Sequence, residues 1–189
     1  EHNPNEIWLT TLKALKKVIK KASLLRGKIL SIGITNQRET TILWNKKTGK
    51  PVYNAIVWQD RRTQDYCEEL KKKNYEKIFR KKTGLFIDPY FSATKIKWIL
   101  ENVKNVKKLL KSNNLLFGTV DTFLIWKLTN GQHHLTEATN ACRTMLFNIN
   151  NNKWDKEILK KLKISENILP EIKNSADNFG STSKRIVGS

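Results

Sequence analysis

A chain of 189 residues with 39% hydrophobic residues and six tryptophans is long enough for one domain with its own core, which argues against a disordered tail. The sequence contains no run of about 18 apolar residues, so we expect no membrane-spanning segment. A formal net charge of +19 leaves nucleic-acid binding open.

The basic residues are dominated by lysine, with 29 lysines against seven arginines. Many lysines come as pairs inside helical patterns, such as Lys16-Lys17 and Lys107-Lys108. Such pairs are typical of solvated helix faces, so we interpret the charge as a compositional bias and expect no specific nucleic-acid partner. A basic nucleic-acid-binding module stays open as an alternative. Lysines clustered on one folded face would favour it, and an even spread would count against it.

The two cysteines and the first residues indicate a cellular compartment. Cys67 and Cys142 lie far apart and form no metal-spaced pair, so we interpret them as reduced thiols of a cytoplasmic protein, although two cysteines could in principle pair. The start Glu1-His-Asn-Pro does not resemble a signal peptide and lacks an initiating methionine. We expect the chain to be a piece of a longer protein.

A helix is predicted at the start of the chain. Asn3 can cap it, Pro4 suits its first position, and Glu6 completes a pattern like a capping box. The helix extends to about Leu24, and Gly27 ends the segment. Its apolar face consists of Trp8, Leu12, Leu15, Val18, Ile19 and Ala22.

Residues 29–35 form a short apolar run that predicts a buried strand, which stops at a polar cluster containing Arg38 and Glu39. In open α/β sheets, ligands bind in the crevice beyond the carboxyl ends of the strands. An arginine fork can donate to two oxygens of a polyol or phosphate, and a carboxylate can accept from hydroxyl groups. On chemistry alone, a surface ion pair at a strand end explains these two residues equally well.

Two further strands are predicted at residues 40–44 and 52–57, separated by a turn that carries Gly49 and Pro51. Asp60 is then a plausible N-cap for the helix that follows. Trp58, between the last strand and this helix, suits either a core position or a pocket wall.

The middle of the chain predicts two helices. Residues 78–82 form a short helix that ends at Gly84, and Asp88-Pro89 signals the start of the next helix. Tyr90 therefore lies at or just before a helix N-terminus, where its phenol either reaches a bound hydroxyl or packs beside Pro89. The buried face of this second helix consists of Ile96, Ile99, Leu100 and Val103.

The rest of the chain alternates short elements. Asp121 is expected to cap a helix rather than to take part in catalysis. The tandem His133-His134 lacks partners at metal-ligand spacing, so no metal site is predicted there. Residues 174–189 are polar and are expected to form a loop or a cut end. The predicted elements are a helical turn at 105–111, a strand at 115–120, a helix at 122–128, a strand at 145–149 and a helix at 154–162.

Several stretches, in the same order along the chain, resemble the glycerol kinases, which belong to the FGGY carbohydrate kinase family. The first is GITNQRETT at residues 33–41, and YFSATKIKWILEN at 90–102 resembles the first signature of the family. The resemblance covers nearly the whole chain. The other matching stretches are GKPVYNAIVWQDRRT at 49–63, TGLFIDPYFS at 83–92, FGTVDTFLIWK at 117–127 and TNACRTMLFN at 139–148.

The resemblance implies an α/β fold, namely the ribonuclease-H-like (actin-like ATPase) first domain of an FGGY kinase, truncated at both ends. It implies that residues 1–189 are a partial N-terminal domain and that the C-terminal nucleotide-binding domain is absent. The full-length protein would be a homo-oligomer that uses ATP with Mg²⁺ to convert glycerol to glycerol 3-phosphate. Another polyol or sugar kinase of the family, such as a xylulokinase-like enzyme, stays open, although the Asn-Gln-Arg-Glu-Thr run favours glycerol.

The resemblance also assigns site residues. Arg38, Glu39 and Tyr90 would hold the glycerol hydroxyls, and Trp58 would pack on the glycerol carbons. No catalytic residue is expected within the chain, because the family's base aspartate would lie beyond Ser189 and its phosphate-gripping hairpin is not expected among residues 1–189. We therefore expect the segment alone to be inactive as a kinase.

Overall fold

The computed structural model describes residues 1–187 of the chain. It contains longer helices in the first two thirds and short strands between them. The helices are α1 (Pro4–Leu24), α2 (Gln64–Lys72), α3 (Glu76–Thr83), α4 (Ser92–Asn102), α5 (Val106–Lys111), α6 (Val120–Leu128), α7 (Ala138–Ala141), α8 (Lys156–Leu162) and α9 (Lys184–Val187), with 3₁₀ turns at Cys142–Thr144 and Glu166–Ile168. The strands are β1 (Ile42–Asn45), β2 (Leu115–Gly118), β3 (Leu135–Glu137), β4 (Phe147–Asn148), β5 (Lys153–Trp154) and β6 (Glu171–Lys173).

The strands of the described residues pair two by two. Strands β1 and β2 are antiparallel, with Ile42 opposite Gly118 and Asn45 opposite Leu115. Strands β3 and β6 are parallel, and β4 and β5 are antiparallel. The β1–β2 pair is the one that directly follows the polar cluster at residues 36–39.

The β1–β2 pair lies between two apolar layers because its side chains alternate between its faces. Leu43 and Phe117 point into a large core shared with α4 and α8. Ile42, Trp44 and Leu116 point to the other side, into a smaller cluster. That cluster also contains Ala55, Phe123 and Trp126. Burial on both faces holds the strand pair, and therefore the loop before β1, in a fixed place.

Two helix boundaries follow the sequence signals. Helix α1 begins at Pro4, and the Asn3 side chain accepts a hydrogen bond of 2.9 Å from the Asn5 backbone N–H. Helix α3 ends at Gly84, whose φ of 73° lies in the left-handed region that glycine adopts without a Cβ penalty. The predicted capping by Asn3 and the predicted stop at Gly84 are confirmed.

The strand predicted at residues 29–35 is wrong. This segment carries no strand assignment, and its Leu30 side chain is 91% exposed. An apolar run forms a strand only when a neighbouring strand accepts its backbone hydrogen bonds, and no segment within residues 1–187 pairs with this one. The strand predicted at 52–57 is reduced to isolated bridges, such as the one between Thr41 and Ile56.

Neither of the two aspartates that were predicted as helix N-caps occupies an N-cap position. Helix α2 begins at Gln64 after Thr63, and Asp60 instead accepts hydrogen bonds of 2.9 Å from the backbone N–H and the Nε of Arg62. Asp121 lies inside the first turn of α6, whose N-cap is Thr119. Both capping predictions are wrong, because Arg62 occupies the Asp60 carboxylate, and Thr136 and Asn140 occupy that of Asp121.

The end of the chain contains more regular structure than the sequence suggested. Trp154 lies in β5, and the helix predicted at 154–162 begins at Lys156 with Asp155 as its cap. Residues 174–183 carry no helix or strand, and α9 follows at Lys184–Val187. The last part of the segment 174–189, at residues 188 and 189, lies outside the described residues.

Both cysteines are free thiols, Cys67 buried and Cys142 half-buried. Across residues 1–187, we find no helix with the length and apolar character that crossing a bilayer requires.

His134 is built into the smaller apolar cluster. Its Nε2–H donates to the Phe117 carbonyl at 2.8 Å, and its ring stands edge-on to Trp44 at a centroid distance of 5.6 Å. Burial lowers the pKa of His134 from 6.5 to about 4, although the hydrogen bond to Phe117 opposes this shift. The folded protein therefore keeps His134 neutral in a pH range where the unfolded chain protonates it.

We predict that His134 makes the protein acid-sensitive. Because the folded-state pKa is depressed, the free energy of unfolding should fall as the pH drops from about 6.5 to about 4, by about 2 to 3 kcal/mol. In a His134→Gln variant this loss should be absent from the pH profile of urea denaturation, with His133→Gln as the control. Equal acid sensitivity of the His134→Gln variant and the unsubstituted protein would contradict the assignment.

Candidate functional site

The candidate site begins at the turn before β1, where two adjacent residues face opposite surroundings. Glu39 is only 5% exposed, and Arg38 is exposed. Thr40 and Thr41, which follow, are fully buried and lead the chain into β1. The local sequence therefore presents a cation outward and turns a carboxylate inward.

The carboxylate of Glu39 is held by an arginine from a distant part of the chain. Arg143, in the 3₁₀ turn Cys142–Thr144, donates from its Nε to Glu39 Oε1 at 2.8 Å. The side chains of Arg143 and Glu39 are 27% and 6% exposed. Burial lowers the pKa of Arg143, but the hydrogen bond and the charge of Glu39 outweigh this effect, so the pKa is raised overall.

Aromatic rings form the other side of the site. The Arg143 guanidinium lies 5.0 Å from the ring centroid of Phe91 and 5.8 Å from that of Tyr90. The Tyr90 ring in turn stands edge-on to Trp58 at a centroid distance of 5.7 Å. Trp58 is 40% exposed, so an open aromatic surface adjoins the buried ion pair.

Tyr90 takes its position from the start of α4. This helix begins at Ser92, and the Asp88 carboxylate accepts a hydrogen bond of 2.8 Å from the Tyr90 backbone N–H. The prediction that Tyr90 lies just before a helix N-terminus is confirmed.

The loop that carries Arg38 is anchored to the start of α6. Asn36 donates from its Nδ2 to Thr119 Oγ1 at 3.0 Å and accepts from the Asp121 backbone N–H at 3.1 Å. Asp121 is buried and accepts hydrogen bonds from Thr136 and Asn140 at 2.8 and 3.0 Å. Burial raises the pKa of Asp121 overall, although these hydrogen bonds oppose the shift.

The structure connects three of the four predicted site residues. Arg143 pairs with Glu39 and lies near the ring of Tyr90, and Tyr90 contacts Trp58. The fourth, Arg38, is the chain neighbour of Glu39 and is exposed.

This arrangement suits a small polyhydroxylated ligand. Arg143 occupies Oε1 of Glu39, which leaves Oε2 to accept from a ligand hydroxyl. The Arg38 guanidinium can donate to ligand oxygens, and the exposed ring of Trp58 can cover carbon atoms. Within residues 1–187, no group of three or more His, Cys, Asp or Glu side chains is arranged to hold a metal ion.

A groove elsewhere in the structure contains none of the four predicted residues. Its volume is about 950 Å³, and its walls come from α1, the segment at residues 26–34, α6 and residues 177–187. Apolar side chains such as Leu15, Ile19 and Leu128 line it. The candidate polar site is therefore separate from this apolar groove.

Sequence reasoning missed the contributions of Arg143 and Lys95. Arg143 pairs with Glu39 across 104 positions of the sequence, and Lys95 donates to backbone carbonyls at the same site. Neither contact produces a periodic pattern, so the only signal was the place of both residues in stretches that resemble the kinase family.

Comparisons with known proteins give consistent results. The family model described as the FGGY family of carbohydrate kinases, N-terminal domain, matches residues 1–188. The chain is 55% identical over 188 residues to the glycerol kinase of Caldanaerobacter subterraneus subsp. tengcongensis, and this match covers 100% of the chain and 38% of the relative.

Solved structures of longer proteins share the fold. The crystal structure of Plasmodium falciparum glycerol kinase with ADP superposes with a TM-score of 0.93 at 39% identity, covering 99% of this chain and 37% of that protein. A ligand-bound xylulose kinase from Lactobacillus acidophilus superposes with a TM-score of 0.83 at 23% identity, covering 98% and 36%. At this lower identity the likeness concerns the fold alone.

We predict that removing Arg143 destabilises the protein because it leaves the buried Glu39 carboxylate without its cation. Arg143→Met should lower the free energy of unfolding by about 1 to 3 kcal/mol, since one partner of a largely buried pair is lost. Glu39→Gln combined with Arg143→Met should recover part of this loss in urea denaturation.

The matched control is Arg80→Met, because the Arg80 guanidinium also lies over a phenylalanine ring, Phe86, at 4.7 Å, but on an exposed surface. It should cost less than about 1 kcal/mol. Equal losses for Arg80→Met and Arg143→Met, with no recovery in the double variant, would show that Glu39 does not depend on Arg143.

Proposed function

We propose that this chain, which belongs to the FGGY family of carbohydrate kinases, supplies the glycerol-binding wall of an ATP-dependent glycerol kinase. The α/β first-domain fold predicted from the sequence is confirmed by the superposition on an FGGY kinase at a TM-score of 0.93. Since the chain spans 38% of its bacterial relative, the activity belongs to the proposed whole protein.

One observation carries the proposal. Glu39 and Tyr90 both contact Arg143, Tyr90 contacts Trp58, and the exposed Arg38 is the chain neighbour of Glu39, although these residues come from four separate segments. Together they combine an anionic acceptor, a cationic donor, a phenol and an apolar ring surface. The bacterial relative at 55% identity carries the name glycerol kinase, and its match covers this whole site.

In the proposed complex, each glycerol group has a partner. Glu39 Oε2 accepts from one hydroxyl, Arg38 donates to a hydroxyl oxygen, and the Tyr90 phenol binds a further hydroxyl. Trp58 covers the carbon chain. Charged hydrogen bonds fix the orientation, and the ring excludes water from one face.

The proposed reaction is phosphoryl transfer. The oxygen of a terminal hydroxyl forms a bond to the γ-phosphorus of ATP, the bond between that phosphorus and the bridging oxygen of ADP breaks, and the hydroxyl proton leaves. Binding of glycerol in one orientation would select which terminal oxygen reacts. We assign no proton acceptor to residues 1–187, and the predicted base aspartate remains a prediction.

Magnesium would neutralise phosphate charge during the transfer. The described side chains include no acidic cluster suited to hold it, so we assign no magnesium ligand among residues 1–187. Cytoplasmic location, assembly into a homo-oligomer and a separate nucleotide-binding domain are further predictions that rest on the family.

We predict that Arg38→Ala acts mainly on glycerol. Loss of a charged hydrogen bond costs about 1.5 to 3 kcal/mol, so kcat/KM for glycerol in the full-length enzyme should fall roughly ten- to a hundredfold. The KM for ATP should change little, because Arg38 is expected to contact only the polyol. Steady-state kinetics with each substrate varied separately measures both effects.

The matched control is Arg80→Ala, another exposed arginine, and it should leave both constants unchanged. An unchanged kcat/KM for glycerol in Arg38→Ala would remove Arg38 from the site. A higher kcat/KM with a pentulose such as xylulose than with glycerol would be consistent with the FGGY family but would contradict glycerol as the substrate.

A further inference from the structure

Lys95, in the first half of α4, is a fully buried lysine with 0% exposure. Its helix neighbours Ile96 and Ile99 are also fully buried within the large apolar core. Removing an ammonium group from water costs several kcal/mol unless hydrogen bonds compensate. A lysine in this position therefore needs specific partners.

Both hydrogen-bond partners of Lys95 are backbone carbonyls of residues that are predicted to bind the substrate. Lys95 Nζ donates to the Tyr90 carbonyl at 2.7 Å and to the Glu39 carbonyl at 3.0 Å. These two acceptors lie in different segments, one just before β1 and the other just before α4. A single buried group thus joins the two loops whose side chains are proposed to hold the ligand.

The charge on Lys95 is consistent with this arrangement. Burial lowers the pKa of Lys95 to about 8, although the negative charges of Glu39, Asp60 and Asp88 oppose the shift. At neutral pH the amine is still mostly protonated and can donate to both carbonyls. Because Lys95 is buried behind the loops, its place is to hold them rather than to contact the ligand.

We propose that Lys95 is a positioning residue for the polyol site, which sets the spacing between the Glu39 carboxylate and the Tyr90 phenol by holding the backbones of both residues. This inference rests on the proposed function, since the spacing matters for glycerol. A displacement of about 1 Å in a binding group is enough to cost a large part of the rate.

The first test compares two lysines of the same helix in the full-length enzyme. Lys95→Met keeps most of the length of the side chain but removes its donors. Lys97→Met removes the pair between the partly buried Lys97 and the exposed Glu101 at 2.7 Å. We expect kcat/KM for glycerol to fall tenfold or more in Lys95→Met, with the KM for ATP within twofold. Lys97→Met should match the unsubstituted enzyme.

A double-mutant cycle separates positioning from general damage. If Lys95 acts through Glu39, the effect of Lys95→Met on kcat/KM for glycerol should shrink at least threefold in a Glu39→Gln background. Additive effects in the two backgrounds would overturn the proposal, because they would show that Lys95 acts independently of Glu39.

A third measurement does not depend on activity. Backbone amide hydrogen exchange should accelerate at residues 37–41 and 88–91 in Lys95→Met and stay unchanged in Lys97→Met. If the full-length protein phosphorylates no glycerol, the proposed function fails, and the exchange measurement still decides whether Lys95 holds the two loops. Unchanged exchange in both loops overturns the proposal.

If Lys95→Met does not fold, Lys95→Gln replaces it, because glutamine keeps two N–H donors on a shorter side chain. The same pattern is then expected at smaller amplitude, with glycerol kcat/KM reduced at least threefold. A folded Lys95→Gln enzyme with unchanged glycerol kinetics and unchanged exchange overturns the proposal.

Discussion

The site depends on one buried carboxylate and the cation that compensates it. Glu39 is almost completely buried, so its charge requires a partner, and Arg143 supplies one at 2.8 Å. The pairing brings a turn from the last third of the chain against the loop before β1. It also places the guanidinium over Tyr90 and Phe91. The same ion pair thus sets the distance between the acidic and the aromatic sides of the site, and it leaves one carboxylate oxygen free for a ligand.

The fold supports this pair from behind. Strands β1 and β2 alternate their side chains between two apolar layers, which fixes the point where the loop at residues 36–39 enters the core. Asn36 anchors that loop to the start of α6, and Lys95 ties it to the start of α4. These two contacts and the buried strand pair therefore hold a loop whose Arg38 is exposed. A preorganised site of this kind would lose little entropy on binding the proposed polyol.

Local signals in the sequence predicted local structure well. The cap at Asn3, the stop at Gly84 and the place of Tyr90 before α4 each depend on neighbouring residues only. The strand predicted at residues 29–35 is wrong because a strand depends on a pairing partner, which the segment itself does not encode. The N-cap predicted at Asp60 is wrong because the Asp60 carboxylate accepts a hydrogen bond from Arg62. The four site residues came from family resemblance, whereas their contacts through Arg143 and Lys95 span distances in sequence that no periodicity reveals.

A crystal structure of the full-length protein with glycerol bound is the most direct test of the proposed site. We expect one glycerol hydroxyl within hydrogen-bond distance of Glu39 Oε2, another beside the Arg38 guanidinium, and the carbon chain against Trp58, with the contact between Arg143 and Glu39 unchanged. Glycerol bound away from all four residues, for example in the apolar groove between α1 and α6, would contradict the proposed site.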